Sequence, residues 1–334
     1  MQTISPVLVI FFNRPSTLKK VFERVREVKP PVLFLAQDGP RDKKDFEKVM
    51  ECRKIVEKID WPCEVYRNYE EKNLGCDPNV YKALDWAFSI VDRLIVLEDD
   101  DIASFSFFRF CDELLERYKC DERIQTISGF QRLEKYEDCP YSYYFSMINA
   151  GVGWATWKRV WEDVKKHSCF PVLKDSYSLE NLRMLEKEVF PKYYSETSKN
   201  LEITRQKDEK ENKHSSWERL LGQTMMSESR LSISPCYNLV TNIGLTDDAT
   251  HSNSDLRMFH PKIRRLFFMK AYELEFPLKH PPVIIRDMVY EKKFKKEFPG
   301  SQNDKFMLKI DYAFRLLLYK GPRVLFKKII KRGR

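Results

Sequence analysis

Short apolar runs and longer amphipathic segments alternate along the first 130 residues of the chain. Residues 6–12 and 31–36 are apolar runs of strand length, and residues 16–28 between them carry apolar side chains at helical spacing. Strands that alternate with helices of this length indicate βαβ units and a mostly parallel central sheet flanked by helices. Further elements of these two kinds are predicted at residues 43–59, 63–66, 79–91, 93–97, 106–118 and 123–129.

The pattern becomes less regular after residue 130, and it changes again near residue 255, where basic and aromatic segments with helical spacing begin. We therefore expect a domain over residues 1–254, in two halves at 1–130 and 131–254, and a C-terminal helical extension over 255–334. In the second half we predict strands at 141–147 and 230–238, a loop at 151–154, helices at 156–166 and 216–227, and an exposed charged segment at 196–213.

Composition excludes several classes of protein. Hydrophobic residues make up 43% of the 334, which supports a sizeable core and argues against disorder. No glycine-rich phosphate loop is present, so the fingerprints of P-loop and dinucleotide-binding proteins are missing. The eight cysteines are scattered without a CxxC pair, which is typical of reduced thiols in a cytoplasmic protein. The apolar run at 7–12 is too short for a signal peptide or a membrane span.

The net charge of +9 is concentrated at the C-terminus. Residues 319–334 hold seven basic side chains and no acidic one, interleaved with apolar residues. This composition is typical of a basic amphipathic helix, and it predicts peripheral binding to the anionic inner face of a membrane. A solubilising tail, or a tail docked on an acidic face of its own domain, is the alternative. No nucleic-acid motif accompanies the charge, so no nucleic-acid partner is expected.

Candidate chemistry follows three of the predicted strands. Arg14 follows the first strand, Asp38 the second, and the acidic run from Glu98 to Asp101 the fourth. Because parallel strands end at the same edge of a sheet, these side chains are expected to share one edge. Arginine matches phosphate geometry, and adjacent carboxylates hold a hard cation, so this edge suits a nucleotide diphosphate with a divalent metal. The alternative is a solvated acidic turn in which Asp101 or Ser104 caps the next helix.

The acidic run and its surroundings resemble a known enzyme class. Residues 96–103, followed by Phe107 and Phe108, are similar to the aspartate-motif region of GT-A glycosyltransferases. The nearest resemblance is to N-acetylglucosaminyltransferase I and to the bacterial hemolysin-like glycosyltransferases. Five further segments match in the same order, so that the resemblance covers about residues 6–252: 6–14, 37–38, 151–157, 216–218 and 238–251.

The resemblance implies a GT-A, Rossmann-like nucleotide-diphospho-sugar transferase fold, with 1–130 as the nucleotide-binding half and 131–254 as the acceptor half. It implies that Asp100 binds the metal, Mn²⁺ or Mg²⁺, with Asp101 as the alternative ligand. It further implies donor contacts from four residues: Glu98 and Asp99 at the ribose and donor, Asp38 at a uracil ring, and Arg14 at the diphosphate.

Three residues outside the acidic run complete the predicted site. Glu218 stands where the family more often has Asp, and the resemblance makes it the catalytic base, although an acidic residue also suits the first turn of a helix. His251 is a candidate second metal ligand or, alternatively, a surface group. Trp154 follows two glycines and is expected to offer its ring to a sugar, with core packing as the alternative.

The predicted function is therefore a metal-dependent, inverting hexosyl- or N-acetylhexosaminyltransferase of bacterial polysaccharide or glycoconjugate biosynthesis. The expected donor is a nucleotide-diphospho-sugar, UDP-linked, and the expected acceptor is a glycan or a lipid-linked saccharide. A nucleotidyltransferase that makes nucleotide sugars is one alternative, but it normally carries a glycine-rich loop after the first strand, where this chain has Phe12-Asn13-Arg14-Pro15. An inactive sugar-binding protein is the other.

Overall fold

An eight-stranded mixed sheet lies at the centre of the fold. The computed structural model describes residues 3–148, 151–168, 176–189, 217–245, 257, 259, 261–297 and 302–322. In chain order the strands are β1 (Val7–Phe11), β2 (Val32–Gln37), β3 (Glu64–Tyr69), β4 (Arg93–Glu98), β5 (Asp101–Ala103), β6 (Ile124–Ser128), β7 (Tyr143–Ser146), β8 (Trp154–Trp157), β9 (Leu231–Pro235) and β10 (Val240–Asn242).

The strand order of the large sheet is β3-β2-β1-β4-β8-β6-β9-β7. Strands β7 and β8 run antiparallel to their neighbours, and the other six are parallel. Strands β5 and β10 form a separate antiparallel pair. The predicted mixed α/β architecture with a mostly parallel central sheet is confirmed.

Amphipathic helices cover the sheet. The first of them buries Leu18, Val21, Phe22 and Val25, which recur at the spacing of one helical face, so this face packs on the apolar side chains of the sheet. The helices are α1 (Pro15–Val28), α2 (Lys43–Val56), α3 (Cys76–Phe88), α4 (Phe105–Arg117), α5 (Lys158–Ser168), α6 (Ser176–Val189), α7 (Trp217–Ser227), α8 (Pro261–Arg264), α9 (Met288–Glu297) and α10 (Gln302–Lys320).

The strands at the centre of the parallel part of the sheet are deeply buried. Every residue of β1 is buried, as are four of the six residues of β4. A strand that is covered on both faces shows a continuous apolar run instead of an alternating one. This is why the sequence located these strands reliably.

Strand β8 is the main departure from the predicted elements. The sequence suggested a loop at 151–154 and a helix from 156, but Trp154–Trp157 forms a strand between β4 and β6. All four of its residues are buried. A four-residue strand that is buried on both faces has no alternation, so periodicity cannot reveal it.

The predicted extension from residue 255 is helical only in part. Between α8 and α9 the chain runs along the sheet without a further helix, and Tyr272 donates its backbone N–H to the Asn238 carbonyl (2.7 Å). Further on, the Asp287 N–H donates to the Phe145 carbonyl in β7 (2.8 Å). These bonds join the extension to the central sheet. The expected boundary at 255 and the charged segment at 196–213 lie outside the described residues.

A buried carboxylate strengthens this connection. Glu291 in α9 is completely buried. Its Oε1 accepts hydrogen bonds from the Ser146 hydroxyl and the Met147 backbone N–H, both at 3.0 Å. The Arg286 guanidinium donates to both carboxylate oxygens of Glu291 at 2.6 to 3.0 Å. The carboxylate therefore ties α9 to the end of β7.

We expect Glu291→Ala to lower the free energy of unfolding by about 3 kcal/mol, because it leaves the Arg286 guanidinium without its buried partner and two polar groups without an acceptor. Urea unfolding followed by circular dichroism measures this. Glu137→Ala is the matched control, since that side chain is 68% exposed and its nearest basic nitrogen lies 3.9 Å away. Equal stability of the two variants would contradict the assignment.

Candidate active site

The ends of β1, β2 and β4 meet at one edge of the sheet. Phe11 pairs with Gln37, and Ile10 with Glu98, so the segments that follow these strands start side by side. The structure thus brings Arg14, Asp38 and the acidic run to the same edge. Arg14, Asp38 and the first two residues of the acidic run, Glu98 and Asp99, line a cleft there, together with Phe12, Arg41, Asn73, Gly75, Cys76 and Asn79.

Arg14 is the cation that faces the acidic run. Its guanidinium donates to Asp99 Oδ1 and lies 2.8 Å from Asp100 Oδ2. Asp99 also accepts the backbone N–H of Phe12 through its other oxygen (3.2 Å), which joins the end of β4 to the end of β1. Burial by itself would lower the pKa of Arg14, but these two carboxylates outweigh it and raise the pKa above its ordinary value.

The acidic run is buried to an unusual extent. Asp99 and Asp101 are each 2% exposed, and Asp100 is 9% exposed. Burial raises the pKa of Glu98 well above its ordinary value, and neighbouring negative charges, Glu218 among them, raise it further. Burial likewise raises the pKa of Asp99, against the opposing effect of Arg14. This edge of the sheet therefore holds more carboxyl groups than Arg14 alone can neutralise.

Asp101 has a structural role within this run. Its Oδ2 accepts backbone N–H groups from Glu98 (3.2 Å) and Gly153 (2.9 Å), so it joins β4 to the segment before β8. Of the two candidate caps of the next helix, Asp101 and Ser104, Asp101 is not the cap. Ser104 caps the helix, by accepting the Phe107 N–H at 3.3 Å.

The end of β10 and the residues that follow it lie against Asp100. The Asn242 amide donates to Asp100 Oδ1 (3.3 Å), and the Ile243 N–H donates to the Asp100 carbonyl (2.9 Å). Gly244 lies against the carboxylate so closely that a Cβ there would overlap Asp100 Oδ2. A side chain at residue 244 would therefore displace this carboxylate. His251 follows a few residues later and lies outside the described residues.

Glu218 reaches the same region from α7. Its side chain is exposed, and it is close enough to Glu98 to raise the pKa of that carboxyl group. A Cβ on Gly151 would overlap Glu218 Oε1 and would lie 2.7 Å from the Trp217 ring. The structure thus places the predicted catalytic base beside the acidic run, with Gly151 directly against it.

A stacked pair of tryptophans holds the start of α7. The rings of Trp154 and Trp217 lie 5.4 Å apart between centroids and 12° from parallel. Trp154 is only 1% exposed, so the expectation that its ring is open to a sugar is wrong. Its position in β8, paired with Val96, explains the burial. Trp154 instead supports the residue that precedes Glu218.

Asp38 organises a loop that sequence reasoning missed. Its two oxygens accept hydrogen bonds from the backbone N–H groups of Gly39, Leu74 and Gly75 and from the Asn73 amide, at 2.7 to 3.0 Å. The carboxylate is thereby fully bonded within the protein, and the loop at 73–75 forms one wall of the cleft. In the sequence, this loop is marked only by Gly75. The structure places that residue at a φ of 88°, a conformation that favours glycine.

The donor set suits a hard divalent cation, although the described residues contain no preformed cluster of three or more metal-ligating side chains. Carboxylate oxygens are the ligands that Mg²⁺ and Mn²⁺ prefer, and the acidic run supplies four carboxyl groups, two of which contact Arg14. Among the four carboxylates, Asp101 is bonded on both oxygens to backbone or amide donors. Asp100 is the better candidate ligand, because at 9% exposure it is the least buried of the three aspartates.

We expect Asp38→Asn to lower the free energy of unfolding by about 2 kcal/mol, because an amide group faces donors that it cannot all satisfy. Hydrogen exchange at the Leu74 and Gly75 amides, together with urea unfolding, measures the effect. Asp60→Asn is the control, since Asp60 is an exposed partner of Arg26, and it should leave both readouts unchanged. Unchanged exchange at these amides in Asp38→Asn would rule out this role.

Neither a protein-family model nor a curated protein matches the chain. Among solved structures, it is similar to a mannosyltransferase from Pyrobaculum calidifontis in complex with GDP-Man and Mn²⁺, with 13% identity, a TM-score of 0.34 and coverage of 55% of this chain and 52% of that chain. It is also similar to a 4-diphosphocytidyl-2C-methyl-D-erythritol synthase from Anaerococcus prevotii, with 14% identity, a TM-score of 0.32 and coverage of 53% and 82%. A UDP-glucose pyrophosphorylase complexed with UDP-glucose matches with 13% identity, a TM-score of 0.26 and coverage of 48% and 71%. The chain thus spans about half the length of the mannosyltransferase, and likenesses this distant assign no family.

Proposed function

We propose that the chain is a GT-A glycosyltransferase that transfers a sugar from a nucleotide-diphospho-sugar, UDP-linked, to a hydroxyl group of a glycan or lipid-linked saccharide. One observation carries the proposal: buried carboxylates and an arginine meet at the ends of parallel strands, and an exposed carboxylate on a separate helix lies near them. The first group suits a diphosphate with a cation, and the second suits a proton acceptor.

The donor side of the site is assigned to the strand ends. Arg14 binds phosphate oxygens, for which its contacts with Asp99 and Asp100 position it. Asp100 holds the divalent cation, Mn²⁺ or Mg²⁺, and His251 is the proposed further ligand. When bound, the cation would neutralise the negative charge that develops on the leaving diphosphate. Glu98 and Asp99 border the cleft in which the nucleoside would lie.

The acceptor side is assigned to Glu218. In an inverting transfer, the acceptor hydroxyl gives its proton to Glu218 while its oxygen bonds to the anomeric carbon, and the bond from that carbon to the nucleoside diphosphate breaks. The exposed position of Glu218 supports this role, because an incoming acceptor can reach the carboxylate. Its nearness to Glu98 supports a location next to the donor.

The two alternative functions have less support. A nucleotidyltransferase needs a glycine-rich loop after β1, but here Asn13 donates to Asp45 and Arg14 is bonded to the acidic run. The segment after β1 thus has no glycine and is hydrogen-bonded within the protein. An inactive sugar-binding protein would share the donor site. A measurement of turnover separates this alternative from an active glycosyltransferase.

A donor screen tests the proposal directly. UDP-, GDP-, CDP- and dTDP-sugars are incubated with the full chain and Mn²⁺, and release of the nucleoside diphosphate is followed with and without EDTA. We expect one class of donor to be hydrolysed slowly, and EDTA to stop the reaction. Pyrophosphate release from a nucleoside triphosphate and a sugar phosphate would instead favour the nucleotidyltransferase. Failure of every donor to bind would overturn the proposal.

We expect Glu218→Gln to keep donor binding but to lower the rate of sugar transfer roughly 10²- to 10⁴-fold, because the amide cannot accept the acceptor proton. Gly151→Ala should act in the same direction, since the added methyl group displaces Glu218. Gly222→Ala is the matched control in the same helix, where a Cβ meets nothing within 4 Å. Normal transfer by Glu218→Gln would place the base elsewhere.

We expect Gly244→Ala to weaken Mn²⁺ binding in the presence of UDP roughly 10- to 100-fold, because the methyl group displaces the Asp100 carboxylate. Asp100→Asn should weaken it at least as much. Electron paramagnetic resonance of free Mn²⁺ measures the binding without any turnover, and Gly222→Ala again serves as the control. If both variants bind Mn²⁺ as the parent chain does, Asp100 is not the ligand.

A further inference from the structure

The C-terminal helix α10 carries an exposed apolar stripe. Ile310, Phe314, Leu317 and Leu318 are 47%, 62%, 45% and 61% exposed. At 3.6 residues per turn, these positions fall within about 100° of one face. Leu316 on another side of the helix is only 4% exposed, so it anchors α10 to the protein while the stripe faces outward.

The charge beside the stripe is strongly positive. Lys320, at the end of α10, is exposed, and residues 319–334 hold seven basic side chains and no acidic one. Within the helix, Asp311 is paired with Arg315 at 2.7 and 3.0 Å, so it contributes no net negative charge to this end. An apolar face is therefore continuous in sequence with a segment that attracts anions.

We propose that α10 docks on an anionic membrane surface. The helix lies in the plane of the interface, its stripe enters the boundary between headgroups and acyl chains, and Lys320 lies at the anionic headgroups, to which the basic sequence that follows adds attraction. Among the described residues, no helix is both long and apolar enough to cross a bilayer. This surface is independent of the catalytic proposal, because none of its residues lies at the strand-end cleft.

A second copy of the chain fits the stripe less well. A stable protein interface takes roughly 20–30 residues from each partner, and the stripe supplies four large side chains. Pairing two such helices would also bring two basic segments together, and like charges repel. A membrane that is apolar inside and anionic at its surface matches both features.

Co-sedimentation of the full chain with vesicles tests the proposal. We expect binding to phosphatidylcholine vesicles that contain 30% phosphatidylglycerol, weaker binding to phosphatidylcholine alone, and loss of binding as salt screens the headgroups. The combined variant Phe314→Ser, Leu317→Ser, Leu318→Ser should bind the anionic vesicles at least about tenfold more weakly. All three side chains are exposed, so circular dichroism should show an intact fold.

Phe46→Ser is the matched control, since Phe46 is 54% exposed on α2, and it should bind as the parent chain does. Equal binding of the triple variant and the parent chain would overturn the proposal, as would equal binding to neutral and anionic vesicles. Light scattering without vesicles supplies a further check. Dimers that disappear in the triple variant would show that a second copy covers the stripe.

Discussion

The concentration of carboxylates at the end of β4 is the constraint on which the rest of the site depends. Bringing three aspartates to 9% exposure or less costs free energy that only specific partners can offset. Each partner comes from a different part of the chain: Arg14 after β1, the Gly153 backbone before β8, and Asn242 in β10. The acidic run therefore determines how these three segments meet.

The same run connects the two sides of the cleft. Asp99 and Arg14 follow the parallel strands β4 and β1, whereas Asp101 bonds to the segment that leads into β8. From β8 the stacked pair of Trp154 and Trp217 continues to the start of α7 and so to Glu218. A chain of strand pairing, ring stacking and covalent bonds thus joins the proposed donor and acceptor sides.

Much of this arrangement was predictable from sequence, for a physical reason. Buried parallel strands show long apolar runs, and their polar ends must share an edge, so Arg14, Asp38 and Asp100 could be grouped in advance. The Asp38 loop could not be foreseen, because backbone N–H groups leave no mark in a sequence. Strand β8 was missed because burial on both faces removes its alternation, and Trp154 was misassigned with it.

The contact between Gly151 and Glu218 has a consequence for how the protein can diverge. A side chain at residue 151 would displace the Glu218 carboxylate, so with glycine there the backbone of the facing segment sets the direction of that carboxylate. Substitution at residue 151 would therefore move the proposed base and change how it meets an acceptor. Insertions or deletions on either side of residue 151 would change the backbone path and so redirect this carboxylate while the glycine is kept.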